Sequence, residues 1–417
     1  MIQSGLNSTI GDVTTVVTKG TTPTTMGRSF TSSGIGFIKA ECISDDGALI
    51  KEKQVFIDEE TDHLLKRSRL QRDDVLFSIA GVIGRTALVQ EAILPANTNQ
   101  AIAILRPKGE VIDPRFLYYT VRAKGFQDHS LGHVVQTAQA NVSLGVLSAA
   151  PIWLPSFPVQ RRIAGILSAY DDLMENSQRR IRLLEAMARA LYREWFVHFR
   201  FPGHEKHPRV ASPLGDIPKG WEVKALSALC SRMESGGTPK RKSSEYWANG
   251  SIDWFKTGEL WDGFLFGSEE KITERGQRES NARIFDPGTI LMAIYGSPTV
   301  GRLGIVTRPS SCNQAALGLV ADKNQISQTF LYFVLISLRE HFNGIAQGAA
   351  QQNISKEKVA NAVAVVPPRE LVAAFDRLAE PTFSQIQTLQ SQIQNLRRTR
   401  DLLLPRLLSG QLEIGNN

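Results

Sequence analysis

Cysteine is scarce in this sequence. The three cysteines, Cys42, Cys230 and Cys312, lie far apart and form no CxxC pair, which argues against a zinc site and against a disulfide framework. His204 and His207 are three residues apart in a proline-rich stretch, which is not the spacing of a zinc-protease helix. We therefore expect no metal site in this chain.

Long apolar runs are absent as well. No segment is long and apolar enough to cross a bilayer, and no charged-then-apolar leader opens the sequence, so we expect a cytoplasmic protein that does not contact membranes. The hydrophobic share of 42% is ordinary for a folded globular protein, and the length of 417 residues predicts more than one domain.

Signatures of catalysis are missing too. The sequence has no Gly-Lys dipeptide and therefore no P-loop, and no GxGxxG opens a helix after a strand. It also lacks the Asp/Asn-Pro-Pro-aromatic motif that an amino-methyltransferase needs, and no acidic pair followed by lysine has a nuclease context. These absences favour a protein that is not an enzyme and binds no cofactor of its own.

Acidic residues are fewer than basic ones, with 41 Asp and Glu against 48 Lys and Arg, so the chain is moderately basic. The formal net charge is +7 and the isoelectric point is about 9.3, which suits a polyanionic partner such as double-stranded DNA. The charge alone is weak evidence, because many ordinary proteins are equally basic.

The sequence contains one module twice. Asn141-Val142-Ser143 and the junction Leu154-Pro155 precede a long heptad segment, and Asn353-Ile354-Ser355 and Val366-Pro367 precede a second one. The copies align without a gap at a shift of about 212 positions, far longer than the period of a solenoid repeat. Pseudo-two-fold symmetry in one partner favours it in the other, so we expect a target with two similar halves.

Both heptad segments predict long helices with an apolar seam, because a 3.5-residue repeat keeps one face toward a partner helix in a coiled coil. The first seam consists of Ile163, Leu167, Tyr170, Met174, Ser177, Ile181, Leu184, Ala188, Leu191 and Trp195. The second consists of Phe375, Ala379, Thr382, Ile386, Leu389, Ile393, Leu396, Arg400, Leu403 and Leu407. The alternative is two amphipathic helices, each packed on its own globular unit.

Two prolines bear on the second helix. Proline removes a backbone donor and clashes with the preceding turn. Pro381 therefore predicts that residues 369–379 form a separate short helix, and Pro405 predicts an end or a kink near the close of the second helix.

Both globular units are predicted to be α+β. Short apolar strands that end at glycine, a Gly-Arg turn and another strand occur in each half, followed by Phe116-Leu117-Tyr118-Tyr119 or Phe330-Leu331-Tyr332-Phe333 at the start of an amphipathic helix. We place the units at residues 1–155 and 213–367, the helical regions at 156–201 and 368–412, and a linker at 202–212.

Candidate DNA contacts lie in loops and in two polar stretches, residues 39–72 and 256–283, which have little sequence in common. Glutamine can pair with adenine, and arginine or lysine with guanine, while a glycine turn with hydroxyls and nearby cations suits phosphate. The candidates are Thr21, Thr22, Lys39, Lys66, Arg67, Arg69, Arg85, Gln136 and Gln139 in the first half, and Thr238, Lys240, Arg241, Lys242, Lys256, Arg275, Arg302, Gln347 and Gln351 in the second.

Structural alternatives exist for several of these residues. The amides near Ser143 and Ser355, including Asn141 and Asn353, could cap the short helices that start there and satisfy the backbone of the turns. The Gly-Thr-Pro loops could be plain connections, and Lys39 could be a solvated strand end, like Lys256 in the second copy.

Three segments carry a resemblance to a known family. Residues 184–197, Leu214–Trp221 and Leu402–Gly410 resemble the central, domain-entry and C-terminal regions of the DNA-specificity subunit of type I restriction–modification systems. The family's Gly-Thr-Pro loop is present as Gly237-Thr238-Pro239, whereas the first half has Thr21 in place of the second glycine. The resemblance covers nearly the whole chain.

The resemblance implies that each globular unit is a target recognition domain for one half of a split, asymmetric DNA site. It implies that the two helices pair antiparallel and set the length of the unread spacer. It also implies two partner modification subunits that bind S-adenosylmethionine and methylate adenine, with restriction subunits that use ATP and Mg²⁺ as possible further partners.

Four arginines on the first helix, Arg179, Arg180, Arg189 and Arg193, are our candidates for the contact with the modification subunits. The alternative is a solvated charged face. Two other functions fit the residues: a DNA-binding protein outside restriction, or a coiled-coil scaffold whose globular ends bind proteins.

Overall fold

The computed structural model describes residues 6–132, 135–136, 140–296, 299–347 and 353–412. It forms two compact units, the first from Met1–Glu175 together with Gln394–Asn417 and the second from Asn176–Ile393. Each of the two long helices contributes residues to both units. In the part of the chain that is described, no helix is both long and apolar enough to span a membrane.

The first half begins with a series of short strands and helices and ends with one long helix. Its strands are β1 (Leu6–Thr9), β2 (Thr14–Lys19), β3 (Ile35–Ile38), β4 (Val55–Ile57), β5 (Val75–Ser78), β6 (Thr86–Leu88), β7 (Ala96–Thr98), β8 (Ile102–Pro107), β9 (Val135–Gln136), β10 (Ala140–Asn141) and β11 (Pro151–Leu154). Its helices are α1 (Ile10–Val13), α2 (Glu59–Leu64), α3 (Pro114–Arg122), α4 (Lys124–Gly132), α5 (Leu144–Ala149) and α6 (Phe157–Tyr192). A π-helical turn, Arg193–Val197, extends α6.

The second half repeats most of this order. Its strands are β12 (Arg209–Ser212), β13 (Gly215–Pro218), β14 (Glu222–Ala225), β15 (Cys230–Ser235), β16 (Ile252–Phe255), β17 (Gly263–Leu265), β18 (Glu270–Ile272), β19 (Ile290–Ala293), β20 (Leu303–Val306), β21 (Ser310–Cys312), β22 (Ala316–Ala321) and β23 (Val363–Val366). Its helices are α7 (Leu226–Leu229), α8 (Glu274–Arg278), α9 (Gln328–Ser337), α10 (Arg339–Gln347), α11 (Lys356–Asn361) and α12 (Arg369–Leu408). The strands β12, β13 and β17 are additional to the order of the first half, and β9 and β10 have no described counterparts.

The main sheets of the two halves share their strand order, apart from one extra strand in the second half. In the first, β2-β8-β5-β6 form an antiparallel sheet and β4-β3-β7 a second, in which β3 and β7 run parallel. In the second, β15-β22-β19-β20 and β18-β16-β21 repeat this order, and β17 adds parallel to β20. The predicted mixed helix-and-sheet fold with an internal duplication is confirmed.

The duplication is not gap-free, however. The offset of about 212 holds from Asn141 onward but is a few residues larger upstream, since β5 corresponds to β19. In addition, β12 and β13 form a hairpin with Arg209 opposite Pro218. This hairpin has no counterpart among the described strands of the first half, and it crosses our predicted boundary at residue 213.

The central strands are buried on both faces, which explains their unbroken apolar sequences. Every residue of β5 and of β19 is buried. In the first unit, Phe116 and Leu117 of α3 share a core with Ile163 and Leu167 of α6. Each globular half therefore packs directly on a heptad helix.

The predicted apolar seams of both helices are packed against other parts of the chain, whereas the coiled-coil pairing stays a prediction. Each of the twenty predicted seam residues is buried or half-buried. In the first unit Ile163 of α6 shares a core with Leu407 of α12. In the second unit Ala188 and Tyr192 of α6 share a core with Phe375 of α12. The start of α6 thus packs with the end of α12, and the end of α6 with the start of α12.

The prediction of a separate helix at residues 369–379 is wrong, because α12 runs without interruption from Arg369 to Leu408. Pro381 is exposed, and so is Arg377, whose carbonyl loses its helical donor. Water can satisfy that carbonyl on an exposed face. Phe375 and Ala379, which are buried, hold the turns around the proline in place.

A polar network interrupts the apolar seam of the first unit. Arg400 is 5% exposed and donates to Asp171 of α6 and to Asp401. Tyr119 of α3 donates its hydroxyl to the other oxygen of Asp171 (2.6 Å). Burial and the adjacent carboxylate raise the pKa of Tyr119. The network therefore ties α3, α6 and α12 together through hydrogen bonds.

Replacing Arg400 with alanine should destabilise the protein by about 3 kcal/mol, because it leaves the Asp171 carboxylate without its counter-charge. The measurement is the midpoint of chemical denaturation of the full chain. Arg398→Ala, on an exposed position of the same helix, is the matched control. Equal midpoints for the two variants would show that the network contributes little.

Candidate nucleic-acid interface

In the first unit, a loop and a turn meet at the ends of two neighbouring strands. Ile38 of β3 lies opposite Thr98 of β7, so Lys39 and Asn99 leave the sheet side by side. Gly20, directly after β2, donates its N–H to the carbonyl of Asn99 (3.1 Å). A Cβ on Gly20 would lie 1.7 Å from the carbonyl oxygen of Thr98, so only glycine permits this approach.

The close approach brings Thr22 onto the side chain of Gln100. Thr22 donates both its backbone N–H (3.1 Å) and its hydroxyl to Oε1 of Gln100. A backbone N–H can only donate, so the acceptor is the amide oxygen and the amide orientation follows. Gln100 is exposed, and its Nε2 has no hydrogen-bond partner among the described residues.

The second unit repeats the hydroxyl contact of this arrangement, without the backbone contact among its described hydrogen bonds. Thr238 donates its hydroxyl to Oε1 of Gln314, two residues after β21. Gly236 packs on the same strand end, where a Cβ would lie 2.2 Å from the carbonyl oxygen of Cys312. Gln314 is exposed, and within the described ranges its Nε2 has no hydrogen-bond partner either.

We call Thr22–Gln100 and Thr238–Gln314 the threonine–glutamine pairs. Our sequence analysis named the threonines, and Thr21 beside the first, but not the glutamines. A signal was present, because Asn99-Gln100-Ala101 recurs as Asn313-Gln314-Ala315. In each turn the asparagine Oδ1 accepts the alanine N–H (3.1 and 3.2 Å), which explains the asparagine locally and leaves the glutamine NH₂ exposed.

Lys39 and Lys256 follow the parallel strands beside these pairs. Lys39 lies 4.7 Å from the ring centre of Phe30 and 3.8 Å from Glu41. Lys256 donates to Glu269 (2.8 Å), and this hydrogen bond raises the pKa of Lys256. A phosphate at either position would compete with a carboxylate, and both contacts stay predictions.

The run Lys240–Lys242 follows the second pair along the chain. Arg241 lies over the rings of Trp247 (4.0 Å) and Trp254 (4.6 Å) and donates to Glu270, which lowers the pKa of Glu270. The two flanking lysines are exposed, and neither forms an ion pair with a described residue. They are therefore available for a negatively charged partner.

Lys66 and Arg67 provide exposed cations in the first unit. Arg67 donates to the carbonyl of Lys19 (3.4 Å), the residue before Gly20. This contact keeps the Arg67 guanidinium beside the loop that carries the first threonine–glutamine pair.

Four further candidate arginines have partners inside their own unit. Three pair with a carboxylate and one stacks on a ring: Arg69 with Asp62, Arg85 with Asp45, Arg275 with Glu279, and Arg302 with Trp261. The hydrogen bond from Arg275 lowers the pKa of Glu279. These arginines brace loops in the structure, and their contact with DNA stays a prediction.

The side chains of the four candidate glutamines, Gln136, Gln139, Gln347 and Gln351, are not among those that the structure describes. Gln139 and Gln351 lie outside the described residues. For Gln136, at the end of β9, and Gln347, at the end of α10, only the backbone is described. Base contacts by these four side chains therefore stay predictions.

The asparagines beside these loops do not cap the short helices, but Asn353 satisfies a backbone N–H of a turn, which is the second part of the structural alternative. Ser143 and Ser355 do so, since each hydroxyl accepts an N–H three residues further on (3.1 and 3.2 Å). Asn353 instead accepts the N–H of Gly296 through Oδ1 (3.0 Å). The Oδ1 of Asn141 is buried with no partner in the described part of the chain.

The four arginines of α6 are exposed but do not share one line along the helix. Arg189 and Arg193 are one turn apart, and Arg189 lies 3.9 Å from Glu185. Arg180 instead lines up, at helical spacing, with Leu183 and Met187, which are 59% and 66% exposed. Exposed apolar side chains beside cations are typical of a surface that binds another protein.

The fold and the site define a class of protein: one α+β unit and one long helix, each present twice, with the same amide-bearing edge in both copies. The family model of the type I restriction modification DNA specificity domain matches residues 6–186 and 218–394. The chain therefore belongs to this family.

Individual relatives agree with this assignment. The chain is 27% identical over 344 residues to the type I restriction enzyme MjaIX specificity subunit of Methanocaldococcus jannaschii, which covers 82% of this chain and 78% of the relative. It is 21% identical over 410 residues to the HindI specificity subunit of Haemophilus influenzae, covering 83% and 88%. A solved S subunit from M. genitalium matches with a TM-score of 0.61 and 15% identity, covering 97% of this chain and 96% of that one, which supports the fold.

Proposed function

We propose that this chain is the sequence-specific DNA-binding subunit of a type I restriction–modification complex, in which each globular unit recognises one half of a split site. The observation that carries the proposal is the site built twice: a threonine–glutamine pair beside a lysine at the end of two parallel strands. The polar stretches around the two copies differ, so the two half-sites differ and the whole site is asymmetric.

The two long helices set the unread spacer in this proposal. Their seam residues are buried or half-buried, and the start of each helix shares a core with the end of the other. This pattern supports an antiparallel coiled coil between α6 and α12. A pair of helices of constant length would hold the two recognition units at a constant separation on DNA.

The chemistry belongs to partner subunits. Two modification subunits, which bind S-adenosylmethionine, would methylate adenine, and restriction subunits using ATP and Mg²⁺ would join them in a complete system. The relatives named above are specificity subunits of such enzymes, which supports a non-catalytic role for this chain.

Reversing two charges on α6 should weaken the contact with the modification subunit. Arg189→Glu together with Arg193→Glu places two carboxylates on an exposed line of the helix. Negatively charged groups of a partner that binds the arginines would repel these carboxylates. We expect at least a tenfold loss of co-purified modification subunit. Arg398→Glu, an exposed arginine on α12, is the control. Wild-type recovery of the partner would favour a merely solvated arginine face.

The decisive experiment for the proposal is DNA binding as a function of salt. Contacts to phosphates release counterions, so affinity should fall steeply as salt rises. A coiled-coil scaffold that binds only proteins would show no DNA binding at any salt concentration. Sequencing of methylated DNA, from cells with and without this chain and its modification subunit, would then give the recognised site.

A further inference from the structure

We infer that Gln100 and Gln314 are contacts to the DNA backbone, oriented in advance by a threonine, and that both recognition units use this contact at equivalent phosphates. The inference rests on the proposed function, since it concerns how the same site holds DNA. It assigns to both copies a role that does not depend on base sequence.

The chemistry of the amide limits what it can bind. Oε1 of Gln100 already accepts two hydrogen bonds from Thr22, which use both of its lone pairs. Oε1 of Gln314 accepts one hydrogen bond, from the Thr238 hydroxyl, which orients the amide in the same way but occupies only one lone pair. The exposed Nε2 carries two N–H donors and no acceptor. Bidentate recognition of adenine needs an amide oxygen as well as an NH₂ group. A donor-only group suits an acceptor such as a phosphate oxygen.

The duplication points to the same ligand. The stretches that differ between the units are those expected to distinguish bases, whereas the glutamine, its threonine and the close-packed glycine occur in both. Because the same glutamine occurs in both units although the two half-sites differ, we expect it to contact a group that is present in every half-site. The phosphodiester backbone is present at every position of the DNA.

The surroundings are positive enough to attract an anion. Arg67 is exposed and bonded to the carbonyl of Lys19, next to Gly20. Lys240 is exposed two residues after Thr238 and forms no ion pair with any described residue. In each unit, therefore, an exposed cation lies on or next to the loop that carries the threonine of the pair. A cation there would attract a phosphate, and a neutral donor of fixed orientation would position it.

The test uses alanine at each glutamine and glutamate at Gln314, in the full chain. Alanine removes the donor, and we expect about a tenfold loss of affinity for either single variant and about a hundredfold for the double variant. Gln314→Glu keeps an oxygen that accepts the Thr238 hydroxyl but presents a carboxylate to the phosphate. It should therefore fold as the wild type does and bind DNA no better than Gln314→Ala.

Binding is measured on duplexes with the methylated motif and with a scrambled sequence, over a range of salt. The alanine variants should weaken both duplexes about equally and leave the salt slope unchanged, because a neutral donor displaces no counterion. Lys240→Ala is the matched control and should reduce the slope by about 0.9. Thermal melting confirms that each variant is folded.

Four outcomes would overturn the inference. Wild-type affinity of Gln314→Glu would mean that the pair only holds the loop. A change at one base position of the methylated motif would mean that the glutamine distinguishes bases. If the wild-type chain does not bind DNA, the proposed function fails, and the inference fails with it. If the wild-type chain binds DNA and the alanine variants bind it equally well, only the inference fails.

Discussion

Exchanging residues 1–155 for the matching domain of another specificity subunit is expected to change one half of the methylated motif and leave the other half intact. The structural basis is the place where the domain begins and ends. β1 pairs antiparallel with β11, with Leu6 opposite Leu154, so the chain leaves the domain beside the point where it enters. A domain with adjacent ends can be replaced without altering the helix that follows at Phe157.

The measurement is sequencing of methylated DNA from cells that contain the hybrid and its modification subunit. The replaced domain must keep the apolar face that packs on α6, where Phe116 and Leu117 meet Ile163 and Leu167. The reciprocal exchange of residues 213–367 is the control and should alter only the other half-site. A change in both halves after one exchange would show that the units do not recognise DNA independently.

Adding one heptad to both long helices, after Arg182 and after Gln394, is expected to lengthen the unread spacer by about 3 base pairs. Seven residues add about 10 Å to a helix at 1.5 Å per residue, and B-DNA rises about 3.4 Å per base pair. Both insertion points are exposed. A whole heptad preserves the seam, so the apolar residues on either side keep their partners.

The spacer is again obtained from the methylated motif. An insertion after Arg182 alone is the control, because one lengthened helix cannot match its unchanged partner, and we expect that variant to lose stability and DNA modification. A functional double insertion with the original spacer length would rule out the proposed role of the helices.

The helices illustrate how far the sequence predicts this fold. All twenty seam positions were identified from periodicity, because one buried face repeats at a spacing that is visible along the chain. The effect of Pro381 could not be predicted from periodicity. Its effect depends on whether the broken backbone group faces water, and that depends on which side of α12 is packed.

The candidate site was less predictable. Its cations could be recognised by residue type, but not their partners: Lys256 lies against Glu269, and Arg302 over Trp261. The glutamines were passed over because Gln100 meets Thr22 across 78 positions of sequence. Such a pairing follows from how β2, β3 and β7 are ordered in space, and residue type does not encode it.

The sequence by itself determined the duplication, the types of element and the buried faces of the helices, because each is a local or periodic property of the chain. Only the tertiary structure decided which polar groups are satisfied internally and which remain available to a ligand. Arg400, a charge within an apolar seam, is an example, since its partner Asp171 lies 229 residues away. A hydrogen bond needs its two groups within about 3 Å, and only the folded chain determines which distant groups come that close.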